Sequence, residues 1–195
     1  MADLITLQTY KDAEGLSTPK EDLRINALIP SISQLVKTYC GNSFVDYYSS
    51  AKTEFINIDW GTYIVQLTES PINSITSVQE RTSYSGDYTT LTTGAYEYYL
   101  ESSTDSIFRT TSAGYKNWPT GVGAVKVVYT AGWSALPKDL ELGVIDLITY
   151  YLKDEHKSRK VLGGASIQND TSSSQTNNVA FPDHIKRVLD LYKNF

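Results

Sequence analysis

The residues of this 195-residue chain best suited to metal ligation or nucleophilic attack are two histidines and one cysteine. His156 lies in Asp154-Glu155-His156, near the end of an expected helix. Successive helix residues point in different directions, so these three cannot converge on one metal ion. His156 and His184 form no His-Glu-x-x-His spacing, and the favoured reading of His156 is a solvated side chain near a helix C-terminus. Cys40 follows Tyr39 at the end of an apolar helical face, with no base beside it; a buried, inert thiol is expected. A single cysteine forms neither an intrachain disulfide nor a cysteine zinc site. Gly121-Val122-Gly123 precedes a strand, whereas a phosphate loop follows one and opens a helix; it reads as a turn. The carboxylate pairs Asp12 with Glu14 and Glu141 with Asp146 read as ordinary helix-surface acids. No constellation supports catalysis, and neither cofactor nor metal is expected.

Composition points the same way. The chain is 41% hydrophobic and 20% charged, enough for one ordinary core or one core with an inserted subdomain. A net charge of -5 disfavours a broad grip on phosphates, because DNA affinity comes largely from Lys and Arg releasing counterions. The first fifteen residues do not read as a signal peptide, and no apolar run approaches membrane-helix length, so no membrane partner is expected. Tyrosine is abundant, 15 against 5 Phe. An apolar ring with a polar tip suits surfaces that become buried on assembly; strand content is the alternative source of this bias.

The elements that would carry such surfaces follow from periodicity. Thr6 is expected to cap a short helix ending at Gly15. Thr18-Pro19-Lys20-Glu21 reads as a capping box opening a helix to Gly41. Its apolar face would be Leu23, Ile25, Leu28, Ile29, Ile32, Leu35, Val36 and Tyr39, with a kink or break at Pro30. Residues 52–133 read as short strands: Phe55 to Ile58, a turn at Asp59-Trp60-Gly61, Tyr63 to Leu67, Ile72 to Val78, Tyr96 to Leu100, and Val125 to Tyr129, with a turn at Ser85-Gly86-Asp87. A helix is expected from Pro137 to about His156, with a stripe of Leu140, Val144, Leu147, Ile148, Tyr151 and Leu152. Each of these, fully buried, contributes about 1.5–3 kcal/mol. Residues 163–178 are Gly-, Ser-, Thr- and Asn-rich and read as a flexible arm. A last helix follows Pro182, with Ile185, Val188, Leu189 and Tyr192 on one face. The expected fold class is α+β: a helical core of about four helices (1–51 with 134–162), an inserted small antiparallel β subdomain (52–133), and a C-terminal arm and helix (163–195).

Taken in order, these pieces resemble the phage head–tail connector (adaptor) proteins of the gp6-like group, most closely the longer phiE125 gp8-like variety. Leu4-Ile5-Thr6 with Tyr10-Lys11 resembles the family's opening helix, and Asp22-Leu23 through Tyr39-Cys40-Gly41 and Phe44 its second. Ser70-Pro71-Ile72 and Ser77-Val78 continue the pattern, as do Tyr88, Leu91 and Tyr96. The most specific stretch is Val125-Lys126-Val127-Val128-Tyr129-Thr130-Ala131-Gly132-Trp133, then Leu136-Pro137 and a helix carrying Tyr150-Tyr151. Phe181-Pro182 resembles the usual ending. Pro30 and the long polar arm depart from the pattern.

The resemblance implies a non-enzymatic structural protein of the virion neck, assembled in the host cytoplasm. It implies a homo-oligomeric ring, usually a dodecamer, beneath the portal protein. Such a ring extends the DNA channel and docks the next neck or tail protein. The net charge suggests that genomic DNA passes without specific binding. Phe181, Ile185, Leu189, Tyr192 and Phe195 are the expected apolar contacts with the portal or a neighbouring subunit; the alternative is that their helix packs on its own subunit. A rival function is a tail-associated carbohydrate- or protein-binding module, with Trp60, Trp118 and Trp133 stacking on the ligand. A small hydrolase stands third.

Overall fold

The computed structural model describes residues 2–154, 159–162, 165–168 and 181–193; for the pair of short segments 159–162 and 165–168 it describes the backbone path. The chain is α+β, with four α-helices and antiparallel sheets among the described residues. It divides into two compact units. One contains the helices before Gly41 and after Leu136; the other is Asn42–Ala135.

In the helical unit, α1 (Leu7–Glu14) is capped as expected. The Thr6 hydroxyl accepts the Thr9 N–H at 3.1 Å, and Gly15 ends the helix at φ +66°. The capping box at Thr18 does not form. α2 (Asp22–Cys40) begins three residues later than that box would start it, after a turn in which the Asp22 N–H reaches the Pro19 carbonyl. Asp22 supplies first-turn negative charge and is held by Lys11 Nζ at 2.9 Å, which favours the later start. α2 runs unbroken through Pro30. Asn26, whose carbonyl loses its helical partner, is exposed, as is Pro30, so water can satisfy the freed group. The buried face is Ile25, Ile29, Ile32, Ser33, Val36, Lys37 and Cys40, while Leu23 is 89% exposed. Lys37 and Ser33 are on this face because they anchor the N-terminal segment: Lys37 Nζ donates to the Ala2 carbonyl and Ser33 Oγ accepts the Leu4 N–H.

α3 (Lys138–Leu152) buries Leu140, Val144, Leu147 and Ile148, as its periodicity predicts. It ends earlier than expected. Asp154 takes a left-handed conformation, φ +60°, and pairs with Arg24. Tyr10 of α1 is buried and its hydroxyl bonds Thr149 of α3 at 2.9 Å. The flexible-arm expectation needs correction in part. Arg159–Leu162 (β9) and Ala165–Gln168 (β10) form an antiparallel hairpin, with Ala165 opposite Leu162. The sequence between them is Gly-Gly, a composition suited to a two-residue hairpin connection. The rest of 163–178 lies outside the described residues. α4 (Asp183–Asp190) closes the unit against α2 and α3.

The second unit is a two-sheet sandwich. The first sheet has the order β1 (Lys52–Ile58), β8 (Gly121–Ala131), β3 (Ile72–Glu80), β4 (Thr89–Leu91). The second has β2 (Ile64–Gln66), β6 (Ser106–Thr111) and β5 (Tyr98–Glu101), with β7 (Gly114–Tyr115) also on β6. Val125, Val127 and Tyr129 alternate inward from β8 and meet Val65, Ile107 and Trp118 in one core. Strands β4, β6 and β7 carry weak sequence signals. Tyr96 is not a strand residue: it adopts a left-handed conformation after a 3₁₀ turn at Thr93–Ala95 and is 68% exposed. Gly121-Val122-Gly123 forms the start of β8 rather than a separate turn.

Two buried polar constraints hold this unit. Arg109, 3% exposed, makes a bidentate bond to Glu80 (2.8 and 2.9 Å) and donates to the Glu97 carbonyl, so it ties β6 to β3 across the sandwich. The other is a close approach at Gly132. It lies at φ +92°, and a β-carbon there would stand 1.9 Å from the Phe44 carbonyl oxygen, which accepts the Trp133 N–H. Gly132→Ala is therefore expected to lower unfolding free energy by at least ~2 kcal/mol, or to prevent soluble expression, in denaturant titration. Arg109→Ala is expected to cost about 3–5 kcal/mol by stranding Glu80 in the interior. Replacing both partners together, Arg109→Met with Glu80→Leu, should recover most of that loss in the same titration.

Candidate functional site: assembly surfaces

The described residues hold no group of three or more His, Cys, Asp or Glu able to bind a metal. Cys40 is fully buried. Its thiol faces the Leu189 carbonyl at 3.5 Å, and burial pushes its pKa up to about 12, so the thiolate is scarce at neutral pH. His184 is exposed on α4, and His156 lies outside the described residues. A hollow of about 260 Å³ lies along Ile56–Gln66; its only ionisable lining residue is Asp59, which offers no acid–base pair.

The expected C-terminal contacts have defined positions. Phe181, Ile185 and Leu189 are buried within the helical unit. Phe181 meets the Tyr39 ring edge-on at 4.8 Å, and Val188 stands against Gly143 of α3. Two tyrosine–carboxylate bonds pin the C-terminal end of α4 in this seat. The Tyr39 hydroxyl donates to Asp190 at 2.7 Å, and the Tyr192 hydroxyl donates to Asp139 at 2.6 Å. An apolar side chain already covered has no further area to give a partner unless α4 leaves its seat. Phe195 lies outside the described residues. Leu191, absent from the expected set, is 78% exposed.

The tryptophans are distributed differently from what ligand stacking requires. Trp118 is 2% exposed, and Trp133 is half-buried with its ring 5.9 Å from Phe44. Only Trp60 of the three is open, at 73%. Exposed aromatic residues gather instead on the outer faces of the two sheets. Tyr99, Phe108 and Ile64 stand opposite one another across β5, β6 and β2, beside the stacked pair Tyr63 and Tyr115 at 4.7 Å. On the other sheet Phe55 and Tyr88 flank Lys126. Period-two alternation in the sequence could have located Phe55 and Lys126, but not their convergence with Tyr88.

A model of the head completion protein family matches residues 3–195. The chain belongs to the head completion protein family. It is a structural phage protein and not an enzyme, in agreement with the connector resemblance. The head completion protein of Escherichia phage T5 is 27% identical over 73 residues, which cover 36% of this chain and 39% of that relative. The fold also matches solved chains from gene transfer agent (GTA) particles. One is from the neck of an empty particle treated with C6 symmetry (TM-score 0.59, 17% identity, covering 98% of this chain and 90% of that one). Another is from the neck of a native particle with C12 symmetry (TM-score 0.56, 16% identity, covering 100% and 94%). A third is from the virion of a native particle (TM-score 0.58, 18% identity, covering 98% and 90%). At these identities the likeness is one of fold.

The α4 seat has a pH dependence of definite sign. The Tyr192 hydroxyl lowers the Asp139 carboxyl below its ordinary 3.8, and the Tyr39 hydroxyl lowers Asp190 likewise. A depressed carboxyl stabilises the fold above its unfolded pKa, and that contribution is lost as pH falls through the folded value. Thermal melting followed by circular dichroism is expected to show the wild type more stable than Tyr39→Phe/Tyr192→Phe at neutral pH. The difference should shrink below about pH 4.

Proposed function

We propose that this head completion protein assembles as a homo-oligomeric ring in the neck of the virion, beneath the portal protein. There it lengthens the DNA channel and presents a platform for the next neck or tail component. The observation that carries the reading is the near-complete fold match to neck chains solved in C6 and C12 symmetric particles, joined to family membership across the whole chain. A head-to-tail contact that closes under rotation produces such a ring, and twelve copies is the number proposed. Assembly takes place in the host cytoplasm. The excess of acids over bases, 22 against 17, keeps the channel from holding DNA, so the genome passes without specific binding.

The C-terminal segment is the proposed docking element toward the portal or a neighbour. Phe181, Ile185 and Leu189 seat α4 on its own unit. The exposed Leu191 remains for the partner, while Tyr192 is bonded to Asp139 and Phe195 lies outside the described residues. The rival binding-module reading loses its main support with the burial of Trp118.

Native mass spectrometry of the purified protein, alone and mixed with its portal, tests the proposal. The expected species is a ring, or a complex whose copy number matches the portal's symmetry. A monomer indifferent to the portal overturns it. The same measurement on a chain lacking 179–195 separates the roles of α4. A folded subunit that no longer binds the portal supports docking, whereas a misfolded one shows that the helix is structural.

A further inference from the structure

Five side chains alternate along the outer face of the four-stranded sheet: Phe55, Lys126, Tyr88, Arg81 and Tyr84. Lys126 Nζ lies 5.9 Å from the Phe55 ring centre and 5.6 Å from that of Tyr88. The Arg81 guanidinium lies 4.8 Å from Tyr88 and 5.1 Å from Tyr84. Strand register builds the ladder. Phe55 is opposite Lys126 across β1 and β8, and Arg81 directly follows β3. The ladder is also braced. Arg81 donates to the carbonyls of Gly123, Val122 and Tyr84, and the Tyr88 hydroxyl donates to Gly123 at 2.6 Å. Yet Phe55 is 59% and Tyr84 75% exposed.

Neither cation has a carboxylate partner among the described residues. That is unexpected in a unit where 42–135 carries nine Asp and Glu against five Lys and Arg. Most of those acids are engaged: Glu54, Glu69, Glu80, Glu97, Glu101 and Asp105 each hold a hydrogen bond within the unit. Asp46 also has a partner. Asp87 adjoins the ladder itself. Asp59 has no hydrogen-bond or ion-pair partner among the described residues and adjoins Trp60, which is 73% exposed in the turn after β1. The strand order β1-β8-β3-β4 puts this turn beyond one edge strand and the Arg81–Tyr88 connection at the opposite edge. The ladder spans the sheet from Phe55 on β1 to that connection, so turn and ladder share the β1 edge but are different sets of residues, as a head-to-tail contact requires.

We propose that the Asp59–Trp60 turn of one copy docks on the Phe55–Lys126–Tyr88–Arg81–Tyr84 ladder of the next copy. The inference rests on the ring reading and names its subunit contact. The free carboxylate meets two uncompensated cations, and Trp60 adds an aromatic plane where cations and rings already alternate. Two cations suit one carboxylate. The acidic surroundings oppose a polyanion such as duplex DNA.

Charge-reversal variants test this. Lys126→Glu and Asp59→Lys, each alone, are expected to raise the concentration needed for ring assembly at least ~10-fold in native mass spectrometry, with melting curves like the wild type. Mixed in equal amounts they should co-assemble into rings of alternating copies, because every interface then pairs opposite charges; a folding defect would not be rescued by mixing. If the wild type and both variants assemble alike, the contact is elsewhere and the ring stands. If the wild type stays monomeric with and without portal, the ring reading fails and this contact with it. If Lys126→Glu abolishes binding of a short duplex DNA while assembly is unchanged, the ladder is a phosphate site and the proposal is overturned.

Discussion

The sandwich unit is an insertion between helices, and an insertion folds only if its two ends come together. Here the meeting point is Gly132 against Phe44. The Phe44 carbonyl accepts the Trp133 N–H, the Ala131 N–H reaches the Tyr47 carbonyl, and the Gly132 N–H reaches Pro71. A side chain at 132 would occupy the space of the Phe44 carbonyl. Phe44 is itself buried at φ +58°. The entering and leaving segments are therefore clamped at one spot, with a backbone approach only glycine allows. Within the run Tyr129-Thr130-Ala131-Gly132-Trp133, which carried much of the family resemblance, this geometry requires the glycine.

A buried polar network surrounds the clamp. Glu69, 6% exposed, accepts from the Ser43 N–H and hydroxyl and from Lys52. Asn42 bridges the Ser70 carbonyl and the Phe44 N–H. The Tyr129 hydroxyl donates to Glu54, and burial with that contact drives its pKa upward. Arg109 and Glu80 do the equivalent work between the sheets. Such groups add specificity rather than bulk stability: each is tolerated because every partner is present, and each becomes a liability when one is removed. With its interior fastened in this way, the unit can leave Phe55, Tyr84, Tyr99 and Trp60 on the surface without collapsing on them. Exposed aromatics on a rigid sheet suit the subunit contact proposed above.

The helical unit shows the same division. Its apolar stripes meet each other, and the polar exceptions, Ser33, Lys37 and Thr149, each hold a backbone or hydroxyl group from another segment. α4 is attached by apolar burial along its length and by two tyrosine–carboxylate bonds at its C-terminal end.

Several features were readable in the sequence because they depend on local chemistry. Periodicity located the body of α2, α3 and α4, since a buried stripe must recur every three or four residues. Thr6 and Gly15 marked the limits of α1 because capping is satisfied within a few residues. The strand at Val125–Tyr129 and the α+β class followed from alternation, and the inert character of Cys40 from its place on an apolar face. Other features depended on distant partners. The cap of α2 moved from Thr18 to Glu21, with Lys11 holding the first-turn acid Asp22. Pro30 left the helix intact because Asn26 faces water. Leu23 stayed exposed, Trp118 went inside, and Phe181, Ile185 and Leu189 turned toward their own unit, because the partner surface for each was decided by packing. The Arg109–Glu80 pair and the cation–aromatic ladder join residues far apart in the chain. No local pattern records such meetings, and only the tertiary fold brings them about.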